Sequence, residues 1–394
     1  MKTKNRTIYL VAGAISMLCA GIVYAWSILK LPFSQDFGWS ATELAFNFTL
    51  TMIFTCLGGV LSGQMSTRMK PGNIVLTGTI LAAVGFFACS CIQGESVWTL
   101  YLCYGMCAGL GIGMVYNAIL SSVSAWFPDK RGTCSGVLMM SYGGSALLLG
   151  NLCSNGFQSI GWRMTFRVIG VGLGIVLFLV SRIVCLPDKT EEKKEQLLHV
   201  TNYTTGEMLQ TGVFWRFFLY SILLSAVGNT VISCARDVAV SGLGAGENLA
   251  VNLVGVLSVA NGLGRILCGV LFDRKGARKT MLISGIITIF APAVTLVAVL
   301  QQNVILGIIG LVFTGLSYGT APATNSSVIG YFFGPKYFSR NFSMINMNLI
   351  LASLIATWAA SLYVSTGSFI VPYILLLVLS MGSMLLNLTI KKPK

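Results

Sequence analysis

Charged and titratable side chains are scarce in this chain. Only 10% of its 394 residues are charged, 12 are acidic, and the only histidine is His199. One histidine in a polar stretch excludes Ser/His/Asp catalysis in practice and provides no set of imidazole ligands for a metal ion. The sequence therefore predicts no enzyme, no catalytic residue, no bound metal and no cofactor.

Cysteine is abundant, but its placement also argues against a metal site. All 11 cysteines fall in apolar stretches or at their ends. Cys103 and Cys107 share a helix face, yet no histidine or carboxylate accompanies them. We interpret the cysteines as small buried hydrophobic residues.

Gly105, Gly109 and Gly113 recur at every fourth position and predict close helix packing. No strand precedes them, which excludes a nucleotide-binding loop.

Long apolar runs dominate the chain. Hydrophobic residues make up 55% of it and the mean hydropathy is +0.79, a composition that excludes a soluble domain. Runs long enough to cross a hydrocarbon layer of about 30 Å recur throughout. We predict an all-α integral membrane protein with twelve transmembrane helices, at 8–30, 42–66, 73–93, 97–126, 133–156, 163–186, 213–235, 248–272, 280–300, 303–331, 341–363 and 368–390.

Lysine and arginine predict the orientation of these helices. The formal net charge is +14, and most of the 26 basic residues fall on one side of the membrane if the N-terminus is inside. We therefore expect both termini in the cytoplasm and the protein in the plasma (inner) membrane. The positive charge reflects topology and predicts no nucleic-acid partner. The first apolar run has no small-residue cleavage site and is expected to remain as a membrane helix.

A polar interval and an internal repeat divide the chain in two. The longest polar interval predicts a cytoplasmic linker at 188–211, between six-helix halves at 1–187 and 212–394. Gly63-Gln-Met-Ser-Thr67-Arg68 follows the second helix, and Gly269-Val-Leu-Phe-Asp273-Arg274 follows the eighth, 206 residues later. Two such halves are the layout of alternating-access transporters, which hold substrate near the bilayer midplane.

Arg265 is the most informative single residue. It lies in an otherwise uncharged run, 249–272, about 12 Å along a helix from Asp273 and so near the middle of the bilayer. A cation at that depth is costly and marks a functional site by default, with a substrate anion as its partner. The alternative is a structural arginine bonded to carbonyls or to Asn261, one turn earlier on the same helix face.

Several motifs resemble known families. Gly269-Val-Leu-Phe-Asp273-Arg274-Lys275-Gly276 resembles the cytoplasmic loop motif of the major facilitator superfamily, with Thr67 at the aspartate position of its first copy. Over nearly the whole chain, the sequence also resembles the oxalate:formate antiporter family, relatives of the monocarboxylate transporters. The motifs that carry this resemblance are Gly21-Ile-Val-Tyr24-Ala-Trp26, the glycine-rich run 104–117, Trp126-Phe-Pro-Asp129-Lys-Arg131-Gly132 and Asn261-Gly-Leu-Gly-Arg265.

This resemblance implies the major facilitator fold and a set of functional residues. Tyr24, Tyr116, Arg265 and Tyr318 are expected around a carboxylate. The cytoplasmic residues Asp129, Arg131, Asp273 and Arg274 are expected to lock helices in one state of the transport cycle. Asn117 and Asn346 are polar residues in apolar helices, where an interhelical hydrogen bond and substrate contact are both open.

Two departures from the family pattern narrow the expected substrate. Relatives that exchange oxalate carry a lysine in the eleventh helix, where this chain has Leu349. One arginine neutralises one carboxylate, so a monocarboxylate is favoured over a dianion. Lys30 is expected to snorkel to the interface, but it could supply a second cation for a dicarboxylate. Asn261 replaces a titratable aspartate of the monocarboxylate transporters, which argues against proton coupling at that position.

We therefore predict a secondary transporter that moves a small organic anion by alternating access. Importing a monoanion against the membrane potential costs about 2.3 kcal/mol per 100 mV, which anion exchange or proton co-transport would offset. The partners expected are the small anion, a proton or counter-anion, and the lipid bilayer, and the protein is expected to act as a monomer. A carboxylate sensor without transport and an exporter of amphipathic drugs are the alternative functions.

Overall fold

The described part of the chain is built from membrane-length helices. The computed structural model describes residues 6–94, 96–187 and 201–393. In these ranges, eleven helices are long and apolar enough to cross a membrane. One of them, Glu247–Gln301, is broken at Gly276, where φ is 76°. That break separates two helices, so twelve spans result, as predicted.

We number the twelve helices α1 to α12. They are α1 (Arg6–Phe37), α2 (Ala41–Met65), α3 (Pro71–Cys89), α4 (Val97–Ser124), α5 (Arg131–Ser159), α6 (Trp162–Ile183), α7 (Gly212–Gly242), α8 (247–275), α9 (277–301), α10 (Val304–Phe333), α11 (Phe338–Tyr363) and α12 (Ile370–Thr389). Four of them are irregular. A 3-10 turn at Gly21–Ala25 interrupts α1, and a π-helical stretch at Tyr101–Ala108 follows the first turn of α4. α7 is kinked at Cys234 and ends in a π-helical stretch at Val238–Gly242, and α11 is interrupted at Met347.

The prediction that residues 273–279 form a polar loop between the eighth and ninth helices is wrong. Asp273 and Arg274 belong to the last turn of α8, and α9 begins directly after Gly276. Arginine and lysine are good helix formers, so the charged motif continues the helix beyond its apolar part. Only Gly276, whose backbone lies in a region that residues with a Cβ rarely adopt, interrupts it.

The predicted linker is described only at its C-terminal end. Residues 188–200, including His199, lie outside the described residues. A short helix, Thr205–Gln210, starts with a capping box in which Thr204 and Glu207 bond each other's backbone N–H groups, at 3.3 and 2.7 Å. These hydrogen bonds from the Thr204 backbone and side chain lower the pKa of the Glu207 carboxyl. The Tyr203 N–H donates to the Phe333 carbonyl at 3.0 Å, which ties this segment to the end of α10.

Contacts between residues group the chain into two compact units. Unit 1 contains α1 to α4, residues 141–159 of α5, α6 and the short segment 338–344. Unit 2 contains residues 129–140, α7 to α10, the remainder of α11 and α12. The domain boundaries at 187 and 212 stay a prediction.

Small residues hold the helices of unit 1 close together. A Cβ added to Gly105 would lie 3.0 Å from the Asn47 Oδ1 of α2, and one added to Gly109 would lie 2.9 Å from the Thr51 carbonyl oxygen. At Gly113 it would collide with the Thr55 carbonyl. The glycine spacing therefore has the packing role that the sequence predicted.

The cysteines of the described chain are free thiols, and most are buried or half-buried. Cys91 is the exception, because it is exposed. The prediction that every cysteine is a buried hydrophobic residue is therefore wrong at this position. The physical reason is that α3 ends at Cys89, so Cys91 lies in the turn that follows the helix.

Candidate functional site

Arg265 is the only charged side chain among the fully buried residues of the described chain, at 4% exposure. Its Nε donates to the Asn261 Oδ1 at 3.3 Å, and its Nη1 donates to the Met139 backbone carbonyl. Both acceptors are uncharged. No carboxylate in the described ranges pairs with this guanidinium, so no described acid neutralises its positive charge.

Glycines place the backbone around Arg265. A Cβ at Gly319 on α10 would collide with the Asn261 carbonyl and lie 3.0 Å from the Arg265 backbone nitrogen. A Cβ at Gly136 on α5 would lie 2.6 Å from the Arg265 carbonyl oxygen. Close approach at these positions brings α5 and α10 against the same part of α8. It also places the Met139 carbonyl within reach of the guanidinium.

Tyr318, another predicted site residue of unit 2, is half-buried on α10. A Cβ at Gly228 on α7 would meet its ring, with the ring Cγ 2.6 Å away. The ring therefore occupies space that a side chain at position 228 would fill. Tyr318 precedes Gly319, the residue packed against Asn261, so α10 contributes two consecutive residues to this region.

The two predicted tyrosines of unit 1 are joined by a third. Tyr142 on α5 packs edge to face on Tyr24, with ring centroids 5.2 Å apart, and lies against Tyr116 at 4.9 Å. Tyr142 is 5% exposed, whereas the other two are half-buried. Tyr142 was not among the predicted site residues. Its sequence context does not distinguish it from the other aromatic residues, which are common in membrane helices.

Asn117, on α4 in unit 1, makes interhelical hydrogen bonds. Its Nδ2 donates to the Gly59 carbonyl at 2.9 Å, to the Ser339 carbonyl at 3.2 Å and to the Ser339 Oγ at 3.1 Å. These contacts join α2, α4 and the start of α11. They favour the structural interpretation of this amide over direct contact with substrate.

The remaining predicted site residues, Lys30 and Asn346, lie at breaks between helical segments of α1 and α11. Lys30 is half-buried between the helical segments Trp26–Leu29 and Leu31–Phe37 of α1, and no carboxylate of the described chain pairs with it. Asn346 is half-buried at the end of the first helical segment of α11. Leu349, at the position of the missing lysine, is half-buried in the second segment.

Asp273 caps the N-terminus of α5. Its Oδ1 accepts the Gly132 N–H at 2.9 Å, and its Oδ2 accepts the N–H and the hydroxyl of Thr133, both at 2.7 Å. A carboxylate here satisfies N–H groups that have no partner within the helix and interacts favourably with the helix dipole. Of the other predicted locking residues, Asp129 lies in the turn Pro128–Lys130, Arg131 begins α5 and Arg274 is exposed.

The geometry defines a class of protein. Eleven helices of membrane-spanning length, one of them broken in two, and a buried arginine in unit 2 that bonds neutral oxygens indicate an integral membrane protein with an anion-attracting site.

Comparison with known proteins agrees with this class. The sequence profile of the Major Facilitator Superfamily matches residues 9–347 and, in a second match, 221–394. The oxalate:formate antiporter of Oxalobacter formigenes is 27% identical over 343 residues, which is 86% of this chain and 80% of that protein. Human monocarboxylate transporter 11 is 26% identical over 159 residues, covering 40% of this chain and 33% of that protein.

Solved structures show the same fold. The proton:xylose symporter XylE, in a structure with 6-bromo-6-deoxy-D-glucose, superposes with a TM-score of 0.74 at 15% identity. The superposition covers 99% of this chain and 97% of that chain. The chain belongs to the Major Facilitator Superfamily. It is a multi-pass membrane transporter, not an enzyme, and is related to the oxalate:formate antiporter and the monocarboxylate transporters.

Proposed function

We propose that this transporter moves a small monocarboxylate, with Arg265 as the residue that binds its carboxylate. The observation that carries the proposal is the buried guanidinium, bonded to the neutral oxygens of Asn261 and Met139 and to no carboxylate of the described chain. A carboxylate is the natural partner, because it accepts two parallel hydrogen bonds from the guanidinium fork. The relationship to an oxalate:formate antiporter supports an organic anion as cargo.

Charge balance favours one carboxylate over two. A monocarboxylate and Arg265 form a neutral pair, whereas a dianion would leave one negative charge without a partner in a low-dielectric site. Leu349 contributes no charge to α11, and Lys30 is only half-buried. If Lys30 extends toward the substrate, a small dicarboxylate becomes the cargo, so Lys30 is the residue that distinguishes the two.

The transport cycle is proposed to use exchange of anions or co-transport of a proton carried with the substrate. Asn261 does not titrate, so the side chain that accepts the Arg265 Nε hydrogen bond supplies no proton. Alternating access would occur in a monomer that spans the plasma membrane and has both termini in the cytoplasm. Tyr24, Tyr116 and Tyr318 are proposed to shape the substrate site, while Asp273 stabilises one conformational state by capping α5.

Uptake into liposomes that contain the purified full chain tests the proposal. We expect saturable uptake of labelled lactate or formate that is stimulated by internal carboxylate or by an imposed proton gradient. Arg265→Ala is expected to abolish it, and Arg265→Lys to retain only part of it because lysine lacks the planar fork. Arg236→Ala, at an exposed position paired with Asp237, is the matched control and should transport normally.

The same assay distinguishes the substrate classes. Oxalate uptake that requires Lys30 as well as Arg265 would replace the monocarboxylate with a dicarboxylate. Normal carboxylate uptake by Arg265→Ala would refute the site. Specific carboxylate binding without uptake under any gradient would favour the sensor alternative.

A further inference from the structure

A second cationic region lies in unit 1 and is separate from the residues assigned above. It is an open cavity of about 670 Å³ between the turn that joins α2 to α3 and the C-terminal end of α6. Three basic residues, Arg68, Lys70 and Arg182, line it, and none of its described lining residues is acidic. We call this region the basic cavity.

The charges of the basic cavity are available to a ligand. All three basic side chains are exposed, and none forms an ion pair with a carboxylate in the described part of the chain. The Arg182 guanidinium lies 4.8 Å from the centroid of the Phe178 ring, a cation–π contact that holds it at the end of α6. Lys70 precedes Pro71, the first residue of α3, so the positive end of that helix dipole adds to the three charges.

The internal repeat explains why the described lining of the basic cavity contains no acidic residue. In the second copy of the motif, Asp273 caps α5. In the first copy the corresponding residue is Thr67, which lines the basic cavity and donates its hydroxyl to the Gln64 carbonyl at 2.9 Å. The exchange of aspartate for threonine therefore leaves a cationic surface at the equivalent position of unit 1.

The rim of the cavity is apolar, which limits the kind of anion that fits. Leu186 lines the cavity and is 51% exposed. On the adjoining surface of α6, Leu179 and Ile183 are 58% and 42% exposed. Exposed apolar side chains on a membrane-spanning helix mark a surface that faces lipid acyl chains. A soluble anion would contact only the basic residues, whereas an amphipathic anion would contact both parts.

We infer that the basic cavity binds the phosphate group of an anionic phospholipid from the leaflet on the predicted cytoplasmic side. The phosphate oxygens accept hydrogen bonds from the Arg68 and Arg182 guanidinium groups, and Lys70 adds a point charge. The acyl chains lie along Leu186 and the exposed face of α6. Basic pockets on the cytoplasmic side of membrane proteins attract such headgroups, each cation contributing about 1 kcal/mol.

Native mass spectrometry of the detergent-purified full chain tests this inference. The protein is titrated with dioleoylphosphatidylglycerol, with dioleoylphosphatidylcholine and with inorganic phosphate. We expect selective binding of the phosphatidylglycerol. The triple variant Arg68→Ala, Lys70→Ala, Arg182→Ala should bind it roughly 100-fold more weakly, at about fivefold per cation removed.

A matched triple variant controls for the loss of charge. Lys275→Ala, Arg278→Ala and Lys279→Ala also remove three exposed cations, but from the α8–α9 junction, and should leave lipid affinity unchanged. The charge-preserving variant Arg68→Lys, Arg182→Lys guards against misfolding and should retain most of the binding. Equal lipid affinity in the two triple variants would overturn the site. Inorganic phosphate that binds as tightly as the lipid, and with the same residue dependence, would make the ligand a soluble anion instead.

Discussion

Burial of Arg265 is only partly compensated by the protein. Removing a guanidinium from water costs several kcal/mol, while a hydrogen bond from a charged group to a neutral acceptor returns about 1.5–3 kcal/mol. The contacts to Asn261 and Met139 therefore hold the side chain in place without neutralising it. A bound anion would supply the opposite charge, which is the physical basis for proposing Arg265 as the carboxylate-binding residue.

Asn261→Asp should convert this site into an internal ion pair. The amide oxygen is 3.3 Å from the Arg265 Nε, so a carboxylate there would compete with substrate. We expect the apparent KM at neutral pH to rise at least about tenfold, equivalent to 1.4 kcal/mol. Acidification should restore uptake, because the aspartate loses its charge when it is protonated. Liposome uptake measured from neutral to acidic pH checks this.

Asn261→Ala is the control for that experiment, because it removes the acceptor without adding charge. It should show no new pH dependence relative to the unmodified protein. An Asn261→Asp variant with an unchanged KM at every pH would mean that the substrate does not meet Arg265.

The Asn117 amide offers a separate residue-scale test. If its role is the interhelical bond to Ser339, the effects of Asn117→Ala and Ser339→Ala on thermal stability should be non-additive, with a coupling of about 0.6 kcal/mol, typical of hydrogen bonds in membranes. Thermal unfolding of the two single variants and the double variant in detergent measures this coupling. Additive stability effects, with a KM changed only by Asn117→Ala, would instead indicate substrate contact.

Some site residues were predictable from the sequence and others were not. The Arg265–Asn261 contact follows from their four-residue spacing on one helix. The Met139 carbonyl was not predictable, because every residue has a carbonyl and its availability depends on how α5 packs against α8. Tyr142 was missed because aromatic residues are common in membrane helices, and its contacts with Tyr24 and Tyr116 join helices that are distant in sequence.

At the scale of helices, the N-terminus of α5 depends on a side chain from α8. Asp273→Asn should destabilise the protein by about 1–2 kcal/mol, because the amide cannot supply two charged acceptors to Gly132 and Thr133. Asp237→Asn is the matched control. Asp237 forms an exposed pair with Arg236 at 4.0 Å, so its change should stay within about 0.5 kcal/mol. Equal losses of thermal stability would refute the capping role.

Gly319→Ala should force α10 away from α8. The added Cβ would collide with the Asn261 carbonyl, and overpacking of this kind costs about 1–3 kcal/mol. We expect a lower melting temperature together with a higher KM, since the α8 backbone that the added Cβ would meet carries Arg265. Gly255→Ala, on α8 with open space at its Cβ position, should be neutral or slightly stabilising. Thermal melts and uptake kinetics of the two variants test this, and a Gly319→Ala protein with wild-type values would contradict it.

Helix identity was more predictable than helix ends. Apolar length predicted all twelve spans, but α1 continues to Phe37 and α7 to Gly242, beyond their predicted ends at 30 and 235. The predicted ends followed polar residues, whereas a helix ends where its backbone hydrogen bonds end. Gly38, with φ of 66°, supplies that end for α1.

At the scale of the whole molecule, composition and periodicity predicted the fold class because a bilayer admits few backbone solutions. Unsatisfied N–H and C=O groups are costly in hydrocarbon, so long apolar runs must form helices. The grouping of residues 129–140 with unit 2 and of 338–344 with unit 1 was not predictable. Such grouping depends on packing between helix ends, which leaves no periodic signal in a single sequence.

The predicted orientation of the whole molecule rests on the distribution of lysine and arginine and can be tested at Cys91. This thiol is exposed after α3, on the side predicted to be outside, and the other cysteines of the described ranges are buried or half-buried. A membrane-impermeant maleimide should therefore label intact cells, and Cys91→Ser should abolish that labelling. A second variant, Cys91→Ser with Lys279→Cys, places an exposed thiol on the predicted cytoplasmic side and should react only after permeabilisation. The reverse pattern would invert the topology and place the basic cavity at the outer leaflet, because both conclusions depend on the same charge asymmetry.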